Sequence, residues 1–210
     1  MHKTILLILT VLVVLGGCSN EKKPNAANFT KAINAYLAKH GQVCVLVDQT
    51  FPADVTLPEQ KQQTGIGPQT TALEQAGLVR GSNTTAVIHG LAEALSRSTT
   101  PQPVRRYELT NEGQKYYRQT LVGFGQTGEF CYGQKAVDSI VRWTEPAAIG
   151  PYTQSEVTYI YKVVNLAAWA QQSGIQQAFP DIPSTIQDGS KVNQRAGLVL
   201  TNNGWEVPKP

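Results

Sequence analysis

Residues 156 to 163 set the tightest constraint on the fold, because Val157, Tyr159, Tyr161 and Val163 alternate with Glu156, Thr158, Ile160 and Lys162. A period of two puts the first set on one face and the second on the other, which predicts a strand buried on one side. Neighbouring segments extend the pattern. Glu129 to Tyr132 reads as a short strand, Ala136 to Thr144 as a second with Val137, Val141 and Trp143 on one face, and Ala196 to Thr201 as a third. Asn202-Asn203-Gly204 then leads into Trp205-Glu206-Val207, which is the chemistry of a tight hairpin. Leu166 to Phe179, carrying Trp169, Ile175 and Phe179, predicts a helix crossing the sheet. Residues 121–207 therefore read as an antiparallel α+β half.

The preceding stretch, residues 28–120, reads differently. Asn28 is placed to cap a helix bearing Phe29, Ile33, Tyr36, Leu37 and His40 at helical spacing, and Gly41 ends it. Val43 to Val47 predicts a strand, and the prolines and glycines from Pro52 to Pro68 predict a long loop. A helix over Thr70 to Ala76 closes at Gly77, Arg106 to Leu109 reads as a strand, and Thr110 caps a helix that holds Tyr116 and Tyr117. The adjacent Arg105 and Arg106 read as a solvated loop or strand edge. "ALEQAGLV" followed by "YELTNEGQKYY" resembles winged-helix domains, in which a helix is followed by a two-stranded wing and a strand-to-helix turn. That resemblance implies a winged-helix-like N-terminal half, with residues 84–95 as wing strand. The whole is then an α+β fold in which this half packs on the antiparallel sheet and its crossing helix.

The N-terminus points to a compartment. Lys3 precedes an almost wholly apolar run from Thr4 to Leu15. The run is shorter than the roughly 20 residues that cross a bilayer, and it suits the core of a secretion signal. Leu15-Gly16-Gly17-Cys18 resembles the lipobox of bacterial lipoproteins. The resemblance implies removal of residues 1–17, acylation of Cys18, and a short tether over residues 18–27. Ser19, where an aspartate marks retention at the inner membrane, implies an outer-membrane lipoprotein facing the periplasm. Three further blocks, "FCYGQKAVDSIVRWTEP", "EVTYIYKV" and "LVLTNNGW", resemble a group of uncharacterised proteobacterial envelope proteins. They imply fold and compartment, and carry over no catalytic residue.

With Cys18 lipidated, Cys44 and Cys131 remain as an even pair in an oxidising compartment, and a disulfide between them is expected. The chemistry of turnover is not legible. His40 and His89 are the histidines beyond the signal, and no nucleophile elbow or zinc-binding helix motif accompanies them. No catalytic residue, metal or cofactor is therefore expected. The formal net charge of +3 offers little to neutralise phosphates, so no nucleic-acid partner is expected either. The aromatic residues of the second half, Tyr132, Trp143, Tyr159 and Trp205, are the candidate interaction surface. The expected function is a non-enzymatic lipoprotein, anchored to a membrane and binding an envelope protein. The alternative is a small-ligand or glycan carrier with an aromatic-lined cleft.

Overall fold

The computed structural model describes residues 21–47, 49–88, 99–123 and 125–208. Helix α1 (Ala26–His40) begins where Asn25 accepts the Asn28 amide at 2.9 Å, and ends where the Gly41 amide donates to the Leu37 carbonyl at 2.7 Å. Asn28 thus lies inside the first turn and does not cap it. Phe29, Ala32, Ile33 and Leu37 form the buried stripe that helical spacing requires. His40 is exposed and stacks on Tyr36, with ring centroids 4.6 Å apart, away from the packed face expected of it.

The chain continues through β1 (Gln42–Val47), β2 (Ala53–Thr56), α2 (Leu57–Gln60), α3 (Ile66–Gln75), β3 (Val79–Ala86), β4 (Gln102–Leu109), α4 (Asn111–Gln114) and β5 (Tyr117–Val122). It then forms β6 (Gly125–Trp143), β7 (Ala147–Ile149), β8 (Tyr152–Val164), a 3-10 turn at Ala168–Gln171, α5 (Ser173–Ala178), α6 (Asp181–Asp188), β9 (Gln194–Thr201) and β10 (Gly204–Glu206). This is a mixed helix and strand protein whose principal sheet is antiparallel and curled. Seven strands make that sheet in the order β1-β6-β8-β9-β10, with β5 added to β6 and β7 to β8, and a second sheet runs β2-β4-β3.

Strand β6 organises both halves. Its register against β8 shifts between Val137 and Ser139 and again between Ile140 and Arg142. Such bulges bend a strand and increase its twist. Its first stretch therefore gives Phe130 and Tyr132 to one core, shared with Val43, Val45 and Val47 of β1, Leu73 of α3 and Trp169. Its second stretch gives Val137 to another, where α1 packs Phe29, Ile33 and Leu37 on Val157, Tyr159, Leu198 and Trp205.

The structure does not support a winged-helix N-terminal half. A hairpin forms from β3 and β4, but β3 overlaps the wing strand expected over residues 84–95 only at 84–86, and Val87 and Ile88 lie outside it. Helix α3 ends as expected at Gly77, with φ of 76° and the Leu78 amide reaching back to the Leu73 carbonyl at 2.9 Å. But α1, which such a unit needs to close its helical core, is drawn away by the apolar face of the large sheet. The residue pattern Thr110-x-x-Gly113 has a separate reason. The Thr110 hydroxyl accepts the Gly113 amide at 3.0 Å, and a β-carbon on Gly113 would collide with the carbonyl of Leu78. Tyr116 and Tyr117 fall beyond α4, and Tyr117 begins β5. The expected wing beyond Ile88 and the residue His89 lie outside the described residues.

Arg105 and Arg106 occupy the middle strand of the three-stranded sheet, not a solvated edge. Arg105 pairs with both oxygens of Glu74 at 2.8 and 2.9 Å, and Arg106 with both oxygens of Asp54 at 2.7 Å each. Burial works to raise the Glu74 pKa, but hydrogen bonds from Arg105 and the Gly81 amide outweigh it and hold the carboxyl below its ordinary value.

Candidate functional site

The described chain enters directly onto the folded body. The Glu21 carboxylate meets the Lys31 ammonium at 2.5 Å, and the Glu21 backbone carbonyl lies 2.9 Å from where a β-carbon on Gly204 would sit. The Lys22 carbonyl accepts the indole N–H of Trp205 at 3.1 Å, and the Lys23 carbonyl accepts the Asn28 side-chain amide at 2.9 Å. The tether expected over residues 18–27 is thus bound to α1 and β10 from Glu21 onward. Cys18 lies outside the described residues.

The four aromatic residues expected at a surface divide unequally. Tyr132, Tyr159 and Trp205 are buried in the two cores, and burial pushes the phenols of Tyr132 and Tyr159 up from their ordinary pKa. A small curled sheet needs such large side chains to fill its interior, and Trp205 turns its ring edge to Phe29 at 5.1 Å. Trp143 alone of the four is open to solvent, 39% exposed, and it meets Phe29 edge-to-face with ring centroids 5.5 Å apart. Larger apolar exposure lies elsewhere, at Tyr152, an aromatic residue of the same second half, and at aliphatic residues that carry no aromatic signal. Ile149 and Tyr152, at 58% and 57%, face each other across the β7–β8 hairpin, and Leu121 at 76% ends β5 beside Val122. One signal for the first pair was present: Pro146-Ala-Ala-Ile-Gly-Pro-Tyr152 contains no charged residue and no polar one before the tyrosine.

Cys44 and Cys131 are disulfide-bonded and are direct partners in the β1–β6 register. Arg118 on β5 reaches over them, donating from Nη2 to the Cys44 sulfur at 2.9 Å, from Nε to Glu129 at 2.5 Å and from Nη1 to Gln42 at 2.6 Å. The ligand atoms of Cys44, Glu129 and Cys131 lie within 4.8 Å of one another. While the bridge is closed, neither sulfur is the thiolate that a metal requires. The arrangement is a braced crosslink joining strands from the two halves of the chain within one sheet.

Clefts among the described residues accompany these features, and a small one of about 230 Å³ lies beside the disulfide, against Gln42, Tyr116, Cys131 and Tyr132. One, of about 380 Å³, lies between α2, α3 and α5 and is lined by Gln60, Gln62, Gln63, Gln75 and Gln177 among others, with no aromatic residue. Another, of about 310 Å³, adjoins the entering chain between Glu21, Lys31, Asn203 and Trp205. No helix among the described residues is long and apolar enough to cross a membrane. The chain matches no family model, and no curated protein or solved structure is significantly similar to it.

Proposed function

We propose that this chain is a membrane-anchored envelope lipoprotein, held by lipid on Cys18 and serving as a non-enzymatic module that binds another envelope protein. The observation that carries the reading is the docking of Glu21 and Lys22 on β10. Only Ser19 and Asn20 separate that docked segment from Cys18, so a lipid there holds the body within about 11 Å of the bilayer surface. A body so close to the membrane is placed to meet membrane partners and cannot range through the periplasm.

The partner surface in this reading is the tip of the β5–β6 hairpin. Leu121 and Val122 are exposed there, at the opposite end of β6 from the strands that receive the N-terminal segment. Apolar side chains presented at such a tip are suited to fill a pocket on a partner. The alternative reading, a small-ligand or glycan carrier with an aromatic-lined cleft, has two places among the described residues: the glutamine-lined cleft, whose amides donate and accept hydrogen bonds, and the smaller one walled by Tyr116 and Tyr132.

A photo-crosslinking amino acid at Leu121 in living cells is expected to capture one dominant envelope protein. Capture should be lost when the same position is tested in Cys18→Ala protein and should not occur from Gln75, on the cleft. Capture from Gln75 but not Leu121, or no specific capture from either, would contradict the protein-binding reading.

A further inference from the structure

We infer that the β7–β8 hairpin rests in the headgroup and outer acyl layer of the bilayer, as a second contact beside the lipid anchor; this rests on the lipoprotein reading above. The hairpin is Pro146 to Tyr152, without a charged side chain, and every residue from Ala147 to Tyr152 is exposed. Nothing among the described residues covers Ile149 or Tyr152. Their exposure alone would name no occupant. The strand register supplies one.

Gln154 of β8 pairs with Val199 of β9, and Val199 with Glu206 of β10. The β8–β9 pairing ends at Gln154 and Val199, and its register continued by two residues brings Tyr152 level with Thr201, which pairs with Gly204, while Ile149 pairs with Tyr152 on the other side. Ile149, Tyr152, Thr201 and Gly204 therefore mark one end of four adjacent strands, an edge roughly 15 Å wide at ordinary strand spacing. Glu21 packs on Gly204 at that same end. The lipid of Cys18 is tied within about 11 Å of Glu21, so the end that carries Ile149 and Tyr152 is the end that faces lipid.

The chemistry suits that position. Isoleucine favours the acyl boundary, and tyrosine the headgroup level, where its ring is covered and its hydroxyl stays wet. The facing backbone groups of β7 and β8 pair with each other, while the outer edge of β7 is unpaired, which keeps that edge at the hydrated headgroup level. Lys22 and Lys23 are exposed on the entering segment, beside the same end, and attract anionic headgroups. The other apolar tip, at Leu121 and Val122, has neither the entering segment nor the lysines next to it.

The test uses full-length lipidated protein carrying Ile149→Cys. With Cys18 acylated and Cys44 bonded to Cys131, the new thiol is the one site for an environment-sensitive fluorophore. The protein is floated with protein-free vesicles of phosphatidylethanolamine and phosphatidylglycerol containing a quencher attached to lipid. A blue shift and quenching at position 149, repeated with Tyr152→Cys and absent with Leu121→Cys, is the expected result. Flotation without a shift at 149 or 152 would overturn the hairpin contact while leaving the anchor intact. A shift seen with envelope fragments but not with protein-free vesicles would reassign the hairpin to a protein partner and overturn it equally. Failure to float at all would remove the lipoprotein reading, and this inference with it.

Discussion

Opening the Cys44–Cys131 bridge, by a dithiol reductant or by replacing both cysteines with alanine, is expected to lower the melting temperature by roughly 10 to 18 °C. The bridge closes a loop of 87 residues. In the chain-entropy account a loop of that length restricts the unfolded ensemble by about 4 to 5 kcal/mol. The two cysteines are already direct partners between β1 and β6, so the ladder on either side survives reduction and the folded state changes little. Most of the loss therefore lies in the unfolded chain. Calorimetry with and without reductant, alongside thiol titration of the folded protein, checks this. An unchanged melting temperature, or two thiols titrating before reduction, would contradict it.

Phe29→Ala is expected to cost about 3 to 5 kcal/mol, the range for deleting a buried aromatic ring. Phe29 is fully buried and sits between Trp143 and Trp205, with edge-to-face ring contacts at 5.5 and 5.1 Å. It is the ring by which α1 holds the second core, together with Ile33 and Leu37. Its removal also loosens Trp205, whose indole holds the Lys22 carbonyl. The expected result is a lower urea midpoint with an unchanged slope, and increased protease cleavage between Lys22 and Lys31. A loss below about 1 kcal/mol would mean that α1 does not depend on this contact.

The alternation from Glu156 to Val163 was enough to place β8, and Val157, Tyr159 and Tyr161 are all buried, but Thr158 on the opposite face is buried too, so the strand is not covered on one side alone. The Asn202-Asn203-Gly204 turn and the Cys44–Cys131 pairing were legible for the same kind of reason, being local or few in alternatives. Strand β6 was harder. Gly133 separates two apolar runs and suggests a break, yet the chain passes through it extended, because its missing side chain admits Val163 and Val43. The prolines at 52 and 58 concealed β2 and α2, although Thr56 and Glu59 form a capping box whose spacing is visible in the sequence. The crossing helix breaks into the 3-10 turn and α5, with α6 following it. The pair Ile182 and Ile186 behind Asp181 was the available signal for α6.

The candidate site was legible only in part, and the physical reason is the ratio of core to surface. An aromatic residue in a small sheet carries the same sequence pattern whether it fills the core or faces a partner. Tyr132, Tyr159 and Trp205 fill the core; Trp143 does not. Which residues were left outside depended on where the long bent β6 placed its two ends, a matter of long-range register that local pattern does not encode. The uncharged Pro146 to Tyr152 stretch was visible but acquires meaning only once Gly204 and Glu21 are seen beside it.

Whether lipid on Cys18 holds this body against a membrane is decided by mass spectrometry of the mature N-terminal peptide, isolated from the cell envelope. A peptide beginning at Cys18, carrying a diacylglyceryl mass, and absent from Cys18→Ala cells in which the uncleaved precursor accumulates, is the predicted result. A mature peptide that begins elsewhere, or that begins at Cys18 without acyl chains, would mean that the body is not held by lipid on Cys18.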